Sequence, residues 1–235
     1  MKQLHTLFLG LLFILLSNYA WSQAPEYVFK SGDYSGIGKW YMGREIAHVM
    51  GYQGMSWLER TEREKEEKTT TLLQNMNIQK TDHIADIGAG SGYHVFKMAK
   101  LASEGTIYAV DIQKEMINAM KIKKEAGMFS NVSLVQGSET SVNLSPNSLD
   151  KVLIVDVYHE MSYPVEMMQS IIKALKPTGE IYLIEYRGED PTVPIKRLHK
   201  MTEAQAVKEM KAVGLKLKAN PTNLPWQHCM IFVKN

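Results

Sequence analysis

From Asp82 onward, short apolar segments alternate with segments of helical periodicity, and this alternation constrains the fold more than any other feature. Because βα units with short connections place strands side by side and helices on both faces, the pattern predicts a doubly wound α/β fold with a mostly parallel, seven-stranded sheet. A loop with two prolines replaces a long helix before the last strand, so that strand is predicted to be antiparallel. The predicted strands are 83–87, 106–110, 132–135, 151–155, 180–186, 215–219 and 229–233.

The first 22 residues have the layout of a secretory signal peptide. Lys2 supplies positive charge, residues 7–16 form an apolar run, and small residues stand at Ala20 and Ser22. The apolar run is shorter than the roughly 20 residues that a bilayer-crossing helix needs, so a membrane anchor is disfavoured. We therefore predict cleavage after Ser22, export to the periplasm or the medium, and no stable membrane insertion of the remaining chain.

Residues 23–78 are predicted to form an N-terminal arm and lid helices ahead of a ligand-binding domain at 79–235. Glycine, serine and aromatic residues predict an irregular arm over 23–40, and a weak apolar stripe predicts a short helix over 41–50.

The charge run at 59–68 (ERTEREKEEK) has helical spacing. It predicts a solvated helix face, with Arg60–Glu64 and Glu64–Lys68 as i,i+4 pairs of opposite sign.

The composition excludes several classes of partner and site. A formal net charge of +2 predicts no strong attraction to nucleic acid. The single cysteine, Cys229, excludes an internal disulfide and any metal site made of several thiolates. The seven histidines include no H-E-x-x-H or H-x-x-x-H pair, so no metal is predicted.

A glycine-rich loop follows the first strand of the sheet pattern, in the order Asp86-Ile-Gly-Ala-Gly-Ser-Gly-Tyr93. Glycines between a buried strand and a helix let the chain turn sharply and let a ligand approach the backbone. The spacing G-x-G-x-G differs from a Walker A loop, which needs Gly-Lys-Ser/Thr. It also differs from a dinucleotide fingerprint, because Tyr93 stands where the third glycine belongs, and this disfavours a nicotinamide oxidoreductase.

An acid stands at the tip of the second strand, 19 residues beyond Gly92. A carboxylate in this place, Asp111, can accept hydrogen bonds from both hydroxyls of a ribose. Helix capping alone would explain an aspartate here, but not its occurrence at this distance from a glycine loop. Together the two features predict a nucleoside site.

These motifs resemble those of class I S-adenosylmethionine-dependent methyltransferases, over roughly residues 60–235. DIGAGSG, AVD, LVQGS, DKVLIVD and LKPTGE are similar to successive motifs of that family. WLER, VDVYHE, EYRGED, VPIK and HKM also resemble a group of exported bacterial methyltransferases. The resemblance implies a Rossmann-like sheet and S-adenosylmethionine as cofactor. It implies that the cofactor site contains Asp86, Gly88, Ala89, Gly90, Gly92, Asp111, Ile112, Ser138 and Asp156.

Within that set, the resemblance assigns Asp86, Gly88 and Gly90 to the methionine end and Asp111 with Ile112 to the ribose and adenine. Many members carry aspartate where this chain has Ser138, so Ser138 or the neighbouring Glu139 would meet the adenine amine.

Polar residues cluster directly after the fourth strand. In open α/β sheets ligands bind beyond the carboxyl ends of the strands. His159 is the first candidate for a general base because imidazole titrates near neutrality, and Glu160 could orient it or cap the next helix. Tyr158 completes the predicted catalytic set. Ordinary capping and turn formation is the alternative interpretation for each residue.

Further candidates for acceptor binding lie after the fifth strand and before the charge run. They are Trp57, Arg60, Glu185, Arg187, Lys196 and His199. Surface charge is the alternative for the basic residues, packing for Trp57, and a structural pair for Arg187 with Glu185.

The sequence thus predicts an S-adenosylmethionine-dependent methyltransferase that acts on a small molecule. Methylation of a protein side chain and a module that binds the cofactor without turnover remain open alternatives. The acceptor, the methylated atom and the oligomeric state are not predicted.

Overall fold

The computed structural model describes residues 26–235, so the predicted signal peptide lies outside the described residues. The described chain begins with a small antiparallel sheet of three strands: β1 (Tyr27–Phe29), β2 (Gly36–Tyr41) and β3 (Arg44–Ala47). Met42 and Gly43 form the turn between β2 and β3, and both have positive φ, 49° and 96°. Two such residues make the tight turn that matches strand twist in hairpins.

This small sheet corrects the prediction for the N-terminal arm. Residues 23–40 were expected to be irregular and 41–50 helical, yet strands occupy much of both segments. The prediction was wrong because the turn uses Met-Gly instead of the Asn-Gly or Asp-Gly that usually announces a hairpin. Short helices follow: α1 (Met55–Leu58), α2 (Arg63–Glu67) and α3 (Thr69–Asn75). Their role as a lid stays a prediction.

The charge run is only partly the solvated face that was predicted. Arg63 and Glu67 are buried and paired at 2.8 Å. Arg60 pairs with Glu66 and Glu67, while Glu64 accepts from Thr69 and Thr70, so the predicted i,i+4 pairs do not form. A helix of five residues is too short to present the face that the spacing implied.

The centre of the protein is the predicted seven-stranded sheet with the order β6-β5-β4-β7-β8-β10-β9. All neighbours are parallel except the pairs that involve the last strand, which runs antiparallel to both of its neighbours. The strands are β4 (His83–Ile87), β5 (Thr106–Asp111), β6 (Val132–Gln136), β7 (Leu149–Val155), β8 (Leu175–Tyr186), β9 (Leu215–Ala219) and β10 (Gln227–Lys234).

Successive side chains of a strand point to opposite faces of the sheet, so the strands contribute to two hydrophobic cores, one on each face. On β4, Ile84 joins one core, whereas Ala85 and Ile87 join the other. The helices that cover these faces are α4 (Val95–Leu101), α5 (Lys114–Ala126), α6 (Pro164–Ala174) and α7 (Glu203–Ala212). Within the part of the chain that the structure describes, no helix combines the length and the apolar character needed to span a bilayer.

A buried ion pair joins the small sheet to the main domain. Arg44 on β3 contacts both carboxylate oxygens of Glu209 on α7, at 2.8 and 2.9 Å, and the Glu209 side chain is fully buried. Removing one partner of a buried pair leaves the other charge uncompensated. We expect Arg44→Met to lower the free energy of unfolding by about 3–5 kcal/mol, measured by denaturant titration.

The control for this change is Arg197→Met. Arg197 pairs with Asp33 at 2.9 Å, but its side chain is 72% exposed. Such pairs contribute about 0–1 kcal/mol. Equal losses in the two variants would contradict a structural role for the buried pair.

Candidate functional site

A cavity of about 450 Å³ lies beyond the carboxyl ends of β4, β5 and β7. This is where an open parallel sheet binds its ligands, and the size lies in the range of small-molecule pockets. The predicted residues that line it are Trp57, Asp86, Gly88, Ala89, Gly90, Asp111, Ile112, Ser138, Asp156, His159, Glu160, Lys196 and His199.

The glycine loop forms one wall of this cavity and requires glycine for two reasons. Gly88 and Gly90 have φ of 71° and 55°, a region that L side chains rarely adopt. A Cβ on Gly88 would lie 2.6 Å from both methyl groups of Val157, and a Cβ on Gly90 would lie 2.7 Å from Leu58. The loop therefore brings bare backbone to the cavity.

Asp111 lies beside the glycine loop and ties its own turn to it. Its two oxygens accept the backbone N–H groups of Gly90 and Gln113, each at 2.8 Å. The bond to Gln113 is a local turn and not the helix cap of the alternative interpretation, because the N-cap of the next helix is Gln113. The bond to Gly90 adds a link that capping does not explain. Each carboxylate oxygen has a second lone pair, so both can still accept a ligand hydroxyl.

Two other carboxyl groups in the cavity wall have buried oxygens without a hydrogen-bond partner among residues 26–235. These atoms are Oδ2 of Asp86 and Oδ1 of Asp156. Asp156 also has a positive φ of 53°, and its other oxygen accepts from Gln227 at 2.7 Å. Buried polar atoms are rarely left unsatisfied, so they indicate groups that a ligand completes.

These observations fit a nucleoside cofactor with a charged amino-acid end. The glycine loop supplies close backbone contact, Asp111 supplies an acceptor for hydroxyls, and Asp86 supplies an unpaired carboxyl group for an ammonium. Ser138 and Glu139 both line the cavity, so the choice between them for the adenine amine stays open.

The cavity lining also contains a cluster of three side chains, His159, Glu160 and His199. His159 Nε2 is 3.1 Å from His199 Nδ1, and His199 Nδ1 is 3.2 Å from Glu160 Oε1. Glu185 accepts from the other side of the His159 ring, Nδ1, at 2.5 Å. The sequence suggested Glu160 for orienting His159, but Glu185, on the neighbouring strand, holds its ring.

The charges of this cluster control its protons. Burial lowers the pKa of His159, but Glu185 and Glu160 outweigh it and raise that pKa to about 10. Burial raises the pKa of Glu160, but hydrogen bonds from His159 and His199 lower it to about 2. In the protein without ligands, His159 therefore carries a proton at neutral pH and acts as a hydrogen-bond donor.

Residues of α1 and α2 form part of the cavity wall. Leu58 lies over Gly90, and Trp57 lines the wall with Arg60 stacked on its ring at 3.7 Å. Arg63 also lines the cavity and donates to the Leu58 carbonyl at 2.9 Å.

Five predicted site residues do not line the cavity, and each has a structural role instead. The Tyr158 hydroxyl donates to Glu209 in the core, which corrects its catalytic assignment. Arg187 donates to the carbonyls of Leu224 and Pro225, which lie in the loop between β9 and β10, and so satisfies backbone groups of that loop. A Cβ on Gly92 would meet Phe96 and Met120, so that glycine serves helix packing.

Arg60 and Glu185 are the other two predicted residues outside the cavity lining, and both bind neighbouring side chains. Arg60 binds Glu66 and Glu67 and reaches the cavity only through Trp57. Glu185 is fully buried and acts through His159.

Sequence reasoning missed several lining residues, including Arg63, His94, Gln113 and Tyr186. Arg63 was hidden in a charge run that looked solvated. Tyr186 ends a predicted strand, and the rule that ligands bind beyond strand ends could have selected it. Its hydroxyl donates to the buried Glu67 at 2.9 Å.

Together the glycine loop after the first parallel strand and the acid at the tip of the second define an α/β protein that binds a nucleoside cofactor. Residues 78–230 match the methyltransferase-domain family, and the chain belongs to that family. It is therefore an enzyme that uses S-adenosyl-L-methionine as its methyl donor.

Known relatives differ in what they methylate. The uncharacterised methyltransferase YdaC of Bacillus subtilis is 26% identical over 144 residues, which cover 60% of this chain and 76% of YdaC. A demethylmenaquinone methyltransferase of Shouchella clausii is 23% identical over 124 residues, 52% of each chain. This chain spans only about half the length of several curated relatives that it matches.

Solved structures share the fold. A methyltransferase from Aquifex aeolicus that depends on S-adenosylmethionine matches with a TM-score of 0.74 at 18% identity, over 78% of this chain and 98% of that one. An O-methyltransferase of neocarzinostatin biosynthesis, solved with S-adenosyl-L-homocysteine, matches with a TM-score of 0.61 at 16% identity, over 77% and 57%. At these identities the likeness concerns the fold alone.

The buried carboxyl group of Asp86 predicts a pH dependence of cofactor binding. Burial raises its pKa to about 7, the nearby Arg63 lowers it and Asp111 adds to the rise. Below that pH the free protein keeps the proton, and an ammonium group requires the ionised form. S-adenosylhomocysteine should thus bind roughly 30-fold more tightly at pH 8 than at pH 5.5, measured by calorimetry.

Asp86→Asn separates this effect from the titration of neighbouring groups. The variant should bind more weakly at pH 8 and lose most of the pH dependence. If the affinity of the variant for S-adenosylhomocysteine changed with pH as much as that of the unchanged protein, another group would be responsible.

Proposed function

We propose that the enzyme transfers the methyl group to a hydroxyl oxygen of a small molecule. One observation carries the proposal: the cluster of His159, Glu160 and His199 opens into the same cavity as the glycine loop and Asp111. Polar groups that can orient a hydroxyl and hold its proton thereby face the space where the cofactor binds.

The chain's own residues position the acceptor and exclude water. S-adenosylmethionine supplies a methyl group that is already activated, so positioning is the main task of the protein. Glu185 orients the His159 ring so that Nε2 faces His199 Nδ1, with a proton between the two nitrogens. A role for His159 as general base requires that this proton leave before the acceptor hydroxyl loses its own.

The walls of the cavity favour a small, partly apolar acceptor over a macromolecule. Helices α1 and α2 cover one side, and the segment at 194–199 covers another. The lining includes apolar side chains from these covers and from other segments, among them Met50, Trp57, Met167, Pro194 and Ile195. A protein side chain would have to enter beneath both covers.

Transfer of tritiated methyl from S-adenosylmethionine tests this function. Label should appear in a small-molecule extract and not in protein, and His159→Ala should lower the transfer rate at least about tenfold. Binding of S-adenosylhomocysteine by that variant should stay within about twofold, since the His159 side chain is bonded to Glu185 and His199 and not to the glycine loop or Asp111. Label in protein would favour side-chain methylation, and binding without any transfer would favour a non-catalytic module.

We further propose that the enzyme acts outside the cytoplasm. The charge, apolar run and small residues of the first 22 positions support export. N-terminal sequencing of the native protein should begin at Gln23, and a sequence that begins at Met1 would contradict cleavage.

A further inference from the structure

We propose that His159, Glu160 and His199 form a binding site for one divalent transition metal ion, with zinc as the preferred ion. The three donor atoms are His159 Nε2, Glu160 Oε1 and His199 Nδ1, which lie within reach of a single ion. No sequence motif predicted this site, because two of the ligands are neighbours on one turn and the third comes from a segment 39 residues later.

The spacing of the donor atoms fits a common centre. The three separations are 3.1, 3.2 and 3.7 Å. Ligands about 2.0–2.2 Å from a tetrahedral zinc ion lie roughly 3.3–3.6 Å from one another. The observed distances bracket that range, so a small movement of His199 would complete the coordination.

The ligand set is that of a site with an open position. Two imidazoles and one carboxylate bind zinc in catalytic sites, where a fourth position is left for water or substrate. All three residues line the cavity, so this position faces the acceptor space. The His199 side chain is 21% exposed, which gives an ion a route from solvent.

Partners behind the ligands hold two of them in the orientation that coordination requires. Glu185 accepts from His159 Nδ1 at 2.5 Å, so Nε2 points into the cluster. The Met50 backbone N–H donates to Glu160 Oε2 at 3.1 Å, which leaves Oε1 for the cluster. A carboxylate behind a ligating histidine is the usual outer partner of a metal site.

The alternative to a metal site is a cluster in which the same three side chains are joined by hydrogen bonds. Two ring nitrogens 3.1 Å apart require a proton between them, and a metal ion would displace it to solvent. Only the binding of the ion itself separates the two states.

The role of the metal, but not its binding, rests on the proposed function. A divalent cation held by the three residues would polarise an acceptor hydroxyl bound at its open position and lower the pKa of that hydroxyl. It would also remove the need for His159 to take up a proton.

The test is zinc binding by the full chain after treatment with EDTA and dialysis, measured by calorimetry with ZnCl₂. We expect one zinc ion per chain with a dissociation constant below about 1 μM. His199→Ala should weaken binding at least 100-fold and Glu185→Gln about 10- to 100-fold. Co²⁺ added in place of zinc should give a visible absorption band that His199→Ala abolishes.

His228→Ala is the matched control. His228 is also buried and paired with a carboxylate, Glu189, at 2.9 Å, but it lies outside the cavity. This variant should bind zinc as the unchanged protein does. Equal and weak binding by the unchanged protein, His199→Ala and His228→Ala would overturn the site, and thermal melting shows whether each variant is folded.

Zinc binding and methyl transfer, measured on the same samples, test the metal site and the proposed function separately. Tight zinc binding without methyl transfer to small molecules would support the site and contradict the function. Zinc binding with a transfer rate that EDTA leaves unchanged would support the site and overturn its role at the acceptor.

Discussion

Gly88→Ala is expected to weaken the binding of S-adenosylhomocysteine about 10- to 100-fold, measured by calorimetry. Alanine at a φ of 71° costs about 1–2 kcal/mol, and its Cβ would lie 2.6 Å from two methyl groups of Val157. Val157 is β-branched and stiff, so the loop must move to relieve the overlap, at a further cost of about 1–3 kcal/mol. A displaced loop no longer brings its backbone to the cofactor.

Gly214→Ala is the control for backbone strain alone. Gly214 also has a positive φ, 87°, and a Cβ there would meet nothing within 4 Å. This variant should lose stability and keep its affinity for S-adenosylhomocysteine. Similar losses of affinity in both variants would mean that strain, and not contact with the cofactor, explains the requirement for glycine at position 88.

Asp111→Ala is expected to weaken the same ligand by about 100- to 10,000-fold. A hydrogen bond to a charged group contributes about 1.5–3 kcal/mol, and Asp111 has a free lone pair on each oxygen for one ribose hydroxyl. The change also leaves the Gly90 and Gln113 N–H groups without their acceptor, so part of the loss comes from the loop.

Asp150→Ala controls for that structural part. Asp150 likewise accepts a backbone N–H, from His83 at 2.9 Å, but it lies outside the cavity. It should lower stability and leave ligand affinity unchanged. Retention of full affinity by Asp111→Ala would exclude the ribose contact.

The fold of the main sheet could be predicted because its signals are local and repeated. Each buried strand is a short apolar run, and β9 has the predicted bounds 215–219. The antiparallel direction of the last strand could also be predicted, because a loop with prolines stands before it in place of a long helix. The small N-terminal sheet escaped prediction because a Met-Gly turn does not look like a hairpin turn.

The two halves of the site differed in how far the sequence could predict them. The glycine loop and Asp111 lie 19 residues apart in a pattern fixed by one βα unit, so spacing alone pointed to their proximity. The acceptor side depends on contacts between distant segments. Nothing in the sequence shows that Glu185 stands behind His159, or that His199 returns from a proline-rich linker to meet it.

The same limit explains the residues whose predicted roles were corrected. Tyr158 and His159 are neighbours in sequence, yet the first points into the core and the second into the cavity. The direction of a side chain on a short turn depends on what packs against it, here Glu209 for Tyr158 and Glu185 for His159.

A crystal structure with bound S-adenosylhomocysteine tests most directly where the nucleoside lies. We expect both ribose hydroxyls within hydrogen-bond distance of Asp111, the ammonium at Asp86, and the sulfur facing the cluster of His159, Glu160 and His199. A ribose bound away from Asp111, or a sulfur turned from that cluster, would contradict the assignment of the cavity.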